Sequence, residues 1–159
     1  GAWVGTWTMA MNEFCGRVIA FEPDPVHYEC LVKNCPEDVE THQLAIGNEE
    51  KMISLSEDNF TQAKRVVGDG TIPMVTIDSL NLDDVDLIKI DVEGFEMEVL
   101  KGAENTLKNV DYLMIELNNN SKKYGSSNLE IEKHLRKSGY EILIKVWPDV
   151  VWRKKGGRK

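Results

Sequence analysis

Residues Leu87–Glu96 read LIKIDVEGFE. Leu87, Ile88 and Ile90 form a short apolar run that meets Asp91, and Glu93, Gly94 and Glu96 follow within five residues. A buried strand that ends in carboxylates and passes through glycine into a helix is how an open α/β sheet builds a binding crevice. Ligands of such sheets lie beyond the carboxyl ends of the strands. Three acids packed this closely repel one another, and a purely structural loop gains nothing from that repulsion. The stretch therefore reads as a site on an α/β fold rather than as a solvated turn.

Outward from it, the chain opens GAWVGTWTMAMNEF and continues RVIAFE at Arg17–Glu22. Gly1, Ala2 and Gly5 make a small-residue turn. Val4, Trp7, Thr8, Met11 and Phe14 then recur at helical spacing. Gly16 stops that helix, and Val18–Phe21 form a short buried strand ending in Glu22. Turn, helix, strand and terminal acid make the second half of a nucleotide-binding βαβ unit. There, glycines let the backbone approach a ligand and the acid accepts hydrogen bonds from ribose hydroxyls. The plainer alternative is a short cap with a solvated acid. A central strand normally precedes such a glycine turn, and without it the neighbouring strands expose unpaired backbone groups. The chain is thus expected to be truncated at its N-terminus, with its first strand missing.

Length and composition suit one compact domain, expected over residues 1–155 with a flexible basic tail at 156–159. Hydrophobic content of 42% and charged content of 29% are ordinary for a globular protein. No apolar run approaches the roughly 20 residues of a membrane span. A net charge of −8 argues against general nucleic-acid affinity. The Arg153–Lys159 end holds five of the nineteen basic residues. It is read as a frayed terminus, with an RNA- or membrane-contacting tail as the alternative. Cys15, Cys30 and Cys35 are odd in number and lack a repeated pair spacing, so they read as reduced thiols in or beside helices, in a cytoplasmic setting. His27, His42 and His134 are scattered, and no histidine-built metal site is expected. No feature sets an oligomeric state.

The remainder alternates helix and strand. Asp24 caps a helix with Pro25 in its first turn, running to about Cys35 with Tyr28, Leu31 and Val32 inward. Val39–Ile46 reads as one strand, Asn48–Lys51 as a turn, Met52–Ser56 as a strand, residues 57–62 as a polar loop, and Ile72–Ile77 as a further strand of a small antiparallel insertion. After Asp91, Phe95, Val99, Leu100, Ala103 and Leu107 line a helical segment broken by Gly102. Tyr112–Leu117 is a buried strand ending around Glu116 and Asn118. A loop over Asn119–Asn128 precedes a helix over Leu129–Ser138, with Leu129, Ile131 or Glu132, and Leu135 at its seam. Tyr140–Val146 and Val150–Arg153 form a closing pair of strands.

The chain resembles the FkbM-type S-adenosylmethionine-dependent methyltransferases over almost its whole length. The resemblance rests on GAWVG, VIAFEPDP, LAIGNEE, VTIDSL and above all KIDVEGFEMEVLKGAENTL followed by YLMIELN. The third position of the opening motif is usually asparagine in the family and is Trp3 here. The resemblance implies a class I, Rossmann-like methyltransferase fold: a mostly parallel sheet with helices on both faces and an antiparallel last strand. It implies S-adenosyl-L-methionine as cofactor, with Gly1, Ala2 and Gly5 against its amino-acid part, Glu22 and the adjoining Pro23 at the ribose, Ala45 and Ile46 by the adenine, and Asp91 near the sulfonium and the acceptor. The implied substrate is a small molecule or glycan bearing a hydroxyl.

The donor methyl group of such a cofactor is already activated, so alignment supplies most of the catalysis. A hydroxyl acceptor must also lose its proton, to a carboxylate or through a metal-bound oxygen. Asp91 and Glu93 are the candidates, with Glu116 a third. The alternative for Glu93 is an acid favoured at a helix N-terminus by the macrodipole. No histidine or third neighbouring acid completes an obvious metal site, so a metal-free route is expected. Glu96 and Glu98 read as solvated helix positions, Asp78 as a helix cap before Leu80, and Trp7, Trp147 and Trp152 as core or edge packing. Two rivals remain: an NAD(P)-binding oxidoreductase using the same turn and acid, which lacks a Tyr/Lys or His catalytic pair here, and a non-catalytic nucleotide-binding domain.

Overall fold

A computed structural model describes residues 1–56 and 64–157. The polar loop expected over 57–62 lies outside the described residues. The fold is α/β with mixed sheets, divided into two compact units.

The first unit comprises residues 1–46 and 50–75. Helix α1 (Thr6–Asn12) leads to β1 (Ile19–Phe21), α2 (Pro25–Asn34) and β2 (Glu40–His42), and β1 and β2 pair in parallel. Helix α2 starts where its cap dictates: the Asp24 carboxylate accepts the N–H of Val26 at 3.0 Å and of His27 at 2.9 Å. Its buried Leu31 packs with Ala20 and Val39 into a small core flanked by Ala2, Val18, Tyr28 and Cys35. Val32, expected inward, is exposed, as is Phe14 beyond α1. The single strand expected over Val39–Ile46 is two. β2 follows β1, but the chain leaves that pairing after His42, and β3 (Ala45–Ile46) runs parallel to β5 (Val66–Val75) in another sheet. β4 (Lys51–Leu55) pairs with β5 antiparallel, as the insertion reading expects. β5 begins well before the expected Ile72 because its glycines carry the strand instead of ending it. A Cβ on Gly70 would stand 2.4 Å from the Ile53 carbonyl oxygen, so only glycine permits that close pairing.

The second unit comprises residues 47–49 and 76–159. Its sheet contains β6 (Leu87–Ile90), β7 (Tyr112–Glu116), β8 (Tyr140–Val146) and β9 (Asp149–Lys154) in the order β6-β7-β9-β8. β6 and β7 are parallel, and β9 runs antiparallel between β7 and β8. Helices α3 (Glu96–Lys101) and α4 (Asn128–Lys137) accompany them. The core gathers Ile90, Leu100, Leu113, Ile131, Leu135 and Trp152, all nearly or fully buried. Gly102 ends α3 as expected; a Cβ there would lie 1.9 Å from the Gly47 carbonyl oxygen.

Three expectations are corrected here, and a fourth is borne out in part. Asp78 does not cap the turn before Leu80; its carboxylate accepts the N–H of Asn105 at 2.9 Å and of Thr106 at 2.8 Å, closing a connection too long to read locally. Arg153 and Lys154 are not frayed: both lie in β9, and the Lys154 ammonium donates to the carbonyls of Leu107 and Ser138. Leu129 at the start of α4 is exposed, while Ile131 and Leu135 form its seam. Of the tryptophans, Trp152 is core, whereas Trp7 and Trp147 are largely exposed.

Candidate functional site

Two clusters carry the candidate residues, one in each unit. In the second unit the parallel register pairs Ile90 with Ile115, so the residues that follow, Asp91 and Glu116, come at the same end of the two strands. β9 brings Asp149 opposite Glu116. After Asp91 the chain turns through two consecutive left-handed residues, Glu93 at φ 55° and Gly94 at φ 110°. A left-handed glutamate is uncommon and is a strained conformation. The turn returns the Glu93 side chain to the strand ends. One carboxylate oxygen from each of Asp91, Glu93 and Glu116 lies within 4.8 Å of the other two. The expectation that no third acid stands beside Asp91 and Glu93 is thereby corrected; Glu116 is that acid.

Donors organise these carboxylates. Lys89 donates to Asp91 Oδ2 at 2.8 Å. Asn118 donates to Glu116 Oε2 at 2.8 Å and to Glu93 Oε2 at 3.2 Å, and Asn120 to Glu93 Oε2 at 2.9 Å. Burial, then the charge and hydrogen bond of Asp91, then Glu93 and Asp149, push the Glu116 carboxyl up to about 7. Burial also raises Asp149, against the opposing pull of Lys89. A carboxyl poised near neutrality among fixed donors can accept hydrogen bonds from hydroxyls or exchange a proton with one, and three such oxygens this close can also share a cation.

Glu96 is not solvated as expected. It is 2% exposed and accepts the Gly94 N–H at 2.8 Å, which ties the turn to the first residue of α3. Burial raises its carboxyl above the usual range. Glu98 is half-buried and pairs with Lys101 at 2.7 Å. Lys89, Asn118, Asn120 and Asp149 escaped sequence reasoning. The available signal was the repeated strand-then-acid pattern of KID and IEL, which places Asn118 just past the second strand end.

In the first unit, Glu22 is 6% exposed at the end of β1. Its Oε2 accepts the Trp3 N–H at 2.8 Å and its Oε1 the Asp24 N–H at 3.0 Å. The glycine turn and the strand-end acid are therefore joined directly, and Ala2 donates its N–H to the Phe21 carbonyl at 3.0 Å. Each Glu22 oxygen keeps a second lone pair, an acceptor set that fits two neighbouring hydroxyls. His27 Nδ1 lies 3.8 Å from Glu22 and 3.7 Å from Asp24. Burial raises the Asp24 carboxyl, but Lys64 and the His27 N–H outweigh it and hold it below its usual range. Gly5 stands at φ 96°, and a Cβ there would meet Cys35 Sγ at 3.0 Å and Leu31 Cδ1 at 3.1 Å, so the turn requires glycine. Trp3 stands at φ 51°, a conformation asparagine tolerates better than an aromatic residue. Pro23 separates Glu22 from Asp24. Ala45 and Ile46 are buried in β3, in the other sheet of this unit.

Residues 1–142 match the family described as the methyltransferase FkbM domain. The chain is 30% identical over 112 residues to the hexuronic acid methyltransferase AglP of Haloferax volcanii, covering 64% of this chain and 47% of that protein. It is 27% identical to methyltransferase 1 of Beauveria bassiana, covering 74% of this chain and 62% of that one. The chain thus spans about half the length of the first of these relatives and somewhat more of the second. A crystal structure of an FkbM methyltransferase from Methylobacillus flagellatus superposes with a TM-score of 0.67 at 19% identity, covering 96% of this chain and 41% of that one, a likeness of fold. Among the described residues no helix is long and apolar enough to cross a membrane.

Proposed function

The chain belongs to the methyltransferase FkbM domain family, and from that premise we propose that it is an S-adenosylmethionine-dependent methyltransferase acting on a hydroxyl of a sugar or small metabolite. The observation that carries the proposal is the buried Glu22 carboxylate, held by the Trp3 and Asp24 N–H groups with a lone pair on each oxygen left for a vicinal diol such as ribose. In this reading Gly1, Ala2 and Gly5 give the cofactor's amino-acid part close access to the main chain, Glu22 and Pro23 face the ribose, and Ala45 and Ile46 meet the adenine. The membership also supports a class I, Rossmann-like sheet, in which β9, antiparallel between β7 and β8, is the antiparallel last strand. The hexuronic acid named for AglP supports a sugar as acceptor.

When bound, the cofactor supplies an activated methyl group. The acidic cluster of the second unit does the rest. Asp91, paired with Lys89, and Glu93, held by Asn118 and Asn120, accept the acceptor hydroxyl, orient it and take its proton. Calorimetric titration with S-adenosylmethionine tests the proposal, with NAD as the comparison. Glu22→Ala should weaken S-adenosylmethionine binding by about 1.5–3 kcal/mol, the range for hydrogen bonds to a charged group. An unchanged dissociation constant in a folded variant would remove Glu22 from the site.

A further inference from the structure

Asn118 lies two residues past the end of β7, and its amide oxygen and both its N–H groups are engaged. Oδ1 accepts the main-chain N–H of Asn120 at 3.0 Å, which sets the direction the amide faces. Nδ2 therefore points the other way, and a primary amide offers two N–H donors there. One goes to Glu116 Oε2 at 2.8 Å and the other to Glu93 Oε2 at 3.2 Å. These two acids come from different places, Glu116 from a strand end and Glu93 from the left-handed turn after β6.

The other groups around them explain why a neutral double donor is needed. Asp91 stands beside Glu116 and is paired with Lys89. Asp149 faces Glu116 from β9. Glu93 takes a second amide from Asn120, and Glu96 turns away to the Gly94 N–H. Glu116 has acids as its charged neighbours. Carboxylates this close, without a donor between them, relieve their repulsion by sharing one proton and cease to be two acceptors.

We propose that Asn118 is a positioning residue for the acceptor: its amide holds the Glu93 and Glu116 carboxylates as two separate hydrogen-bond acceptors toward which a substrate hydroxyl is oriented. This inference rests on the methyltransferase reading of the site and adds a residue to it. Asn118 touches no reacting atom; it acts through the two acids.

The test is a pH titration of side-chain carboxyls by carbon-13 NMR on the full chain, for the parent protein, Asn118→Ala and Asn118→Asp. Removing two donors from ionised carboxylates should raise the midpoints of the Glu93–Glu116 pair by roughly one pH unit in Asn118→Ala. Asn118→Asp keeps the oxygen that accepts the Asn120 N–H, and with it the turn, but puts a further acid where the donor was. Its midpoints should rise further. A residue that only anchors the loop would lower the thermal transition and leave the midpoints in place. Unchanged midpoints in folded Asn118→Ala therefore overturn the proposal; if that variant fails to fold, unchanged midpoints in Asn118→Asp overturn it alone. S-adenosylmethionine binding is measured on the same samples. Its absence from the parent protein would defeat the methyltransferase reading, while the titration still decides whether Asn118 orders the acids.

Discussion

Gly94 lies against the main chain of Asn120 and Ser121 beside the acidic cluster, and one substitution isolates that contact. A Cβ on Gly94 would sit 2.6 Å from both the carbonyl carbon and oxygen of Asn120 and 3.0 Å from the Ser121 nitrogen, at φ 110°. Neither partner is a flexible side chain, so the main chain itself has to move. Gly94→Ala should incur about 1–2 kcal/mol for the left-handed conformation and about 1–3 kcal/mol for overpacking against fixed atoms. Gly125 provides the control. It stands at φ 77° with nothing within 4 Å of its ideal Cβ, so Gly125→Ala meets only the conformational cost. Urea unfolding followed by circular dichroism should give Gly94→Ala a loss larger than that of Gly125→Ala by about 1–3 kcal/mol, or about 2–4 °C of melting temperature per kcal/mol in a chain this long. Because Asn120 also donates to Glu93, the larger loss marks a junction that the carboxylates depend on. Equal losses in the two variants would refute the argument that this contact is tight.

Three further outcomes are expected. Asp78→Ala should destabilise by about 1.5–3 kcal/mol, since three donors from Asn105 and Thr106 lose a charged acceptor. Burial raises the Asp78 carboxyl, but those hydrogen bonds outweigh it and hold it below its usual range. Its contribution is therefore full above the unfolded value near pH 4 and is lost as pH falls through the folded one, so the gap between parent and variant should close in acid; a gap constant across that window would refute the assignment. In the proposed methyl transfer, Asp91→Asn should cut turnover on the order of 10²-fold or more while cofactor affinity falls far less and Glu93→Gln is milder. Equal loss of turnover and affinity would make Asp91 a cofactor anchor. Activity that persists in EDTA fits a carboxylate base, the route favoured here, and activity restored only by magnesium would overturn it.

What the sequence makes legible is whatever neighbours along the chain decide. LIKID reads as a strand running into an acid, the Asp24–Pro25 pair announces its helix, and Gly102 ends α3. These features depend on periodicity and caps within a few residues. Glu96 defeats the same reading. An acid in the first turn of a helix is normally a solvated partner of the dipole, and its burial follows only from the left-handed pair Glu93–Gly94 folding back over it. Gln43 and Leu44 defeat it too, since nothing in the short run from Val39 to Ile46 marks a change of sheet between two strands.

The gathering of the acids lies between these cases. Asp91 and Glu116 are far apart in sequence, yet each is the first or last acid of a short apolar strand. Parallel strands that adjoin in a sheet end on the same side. Once Ile90 is set opposite Ile115, Asp91 and Glu116 must emerge together, and their mutual repulsion must be met by groups beyond the strand ends. Lys89 meets it from within β6, and Asn118 and Asn120 from the loop after β7. The pattern "apolar strand, acid, then asparagine" is thus a readable signal wherever two strands are known to be parallel neighbours, and adjacency is the one fact that a single sequence does not carry.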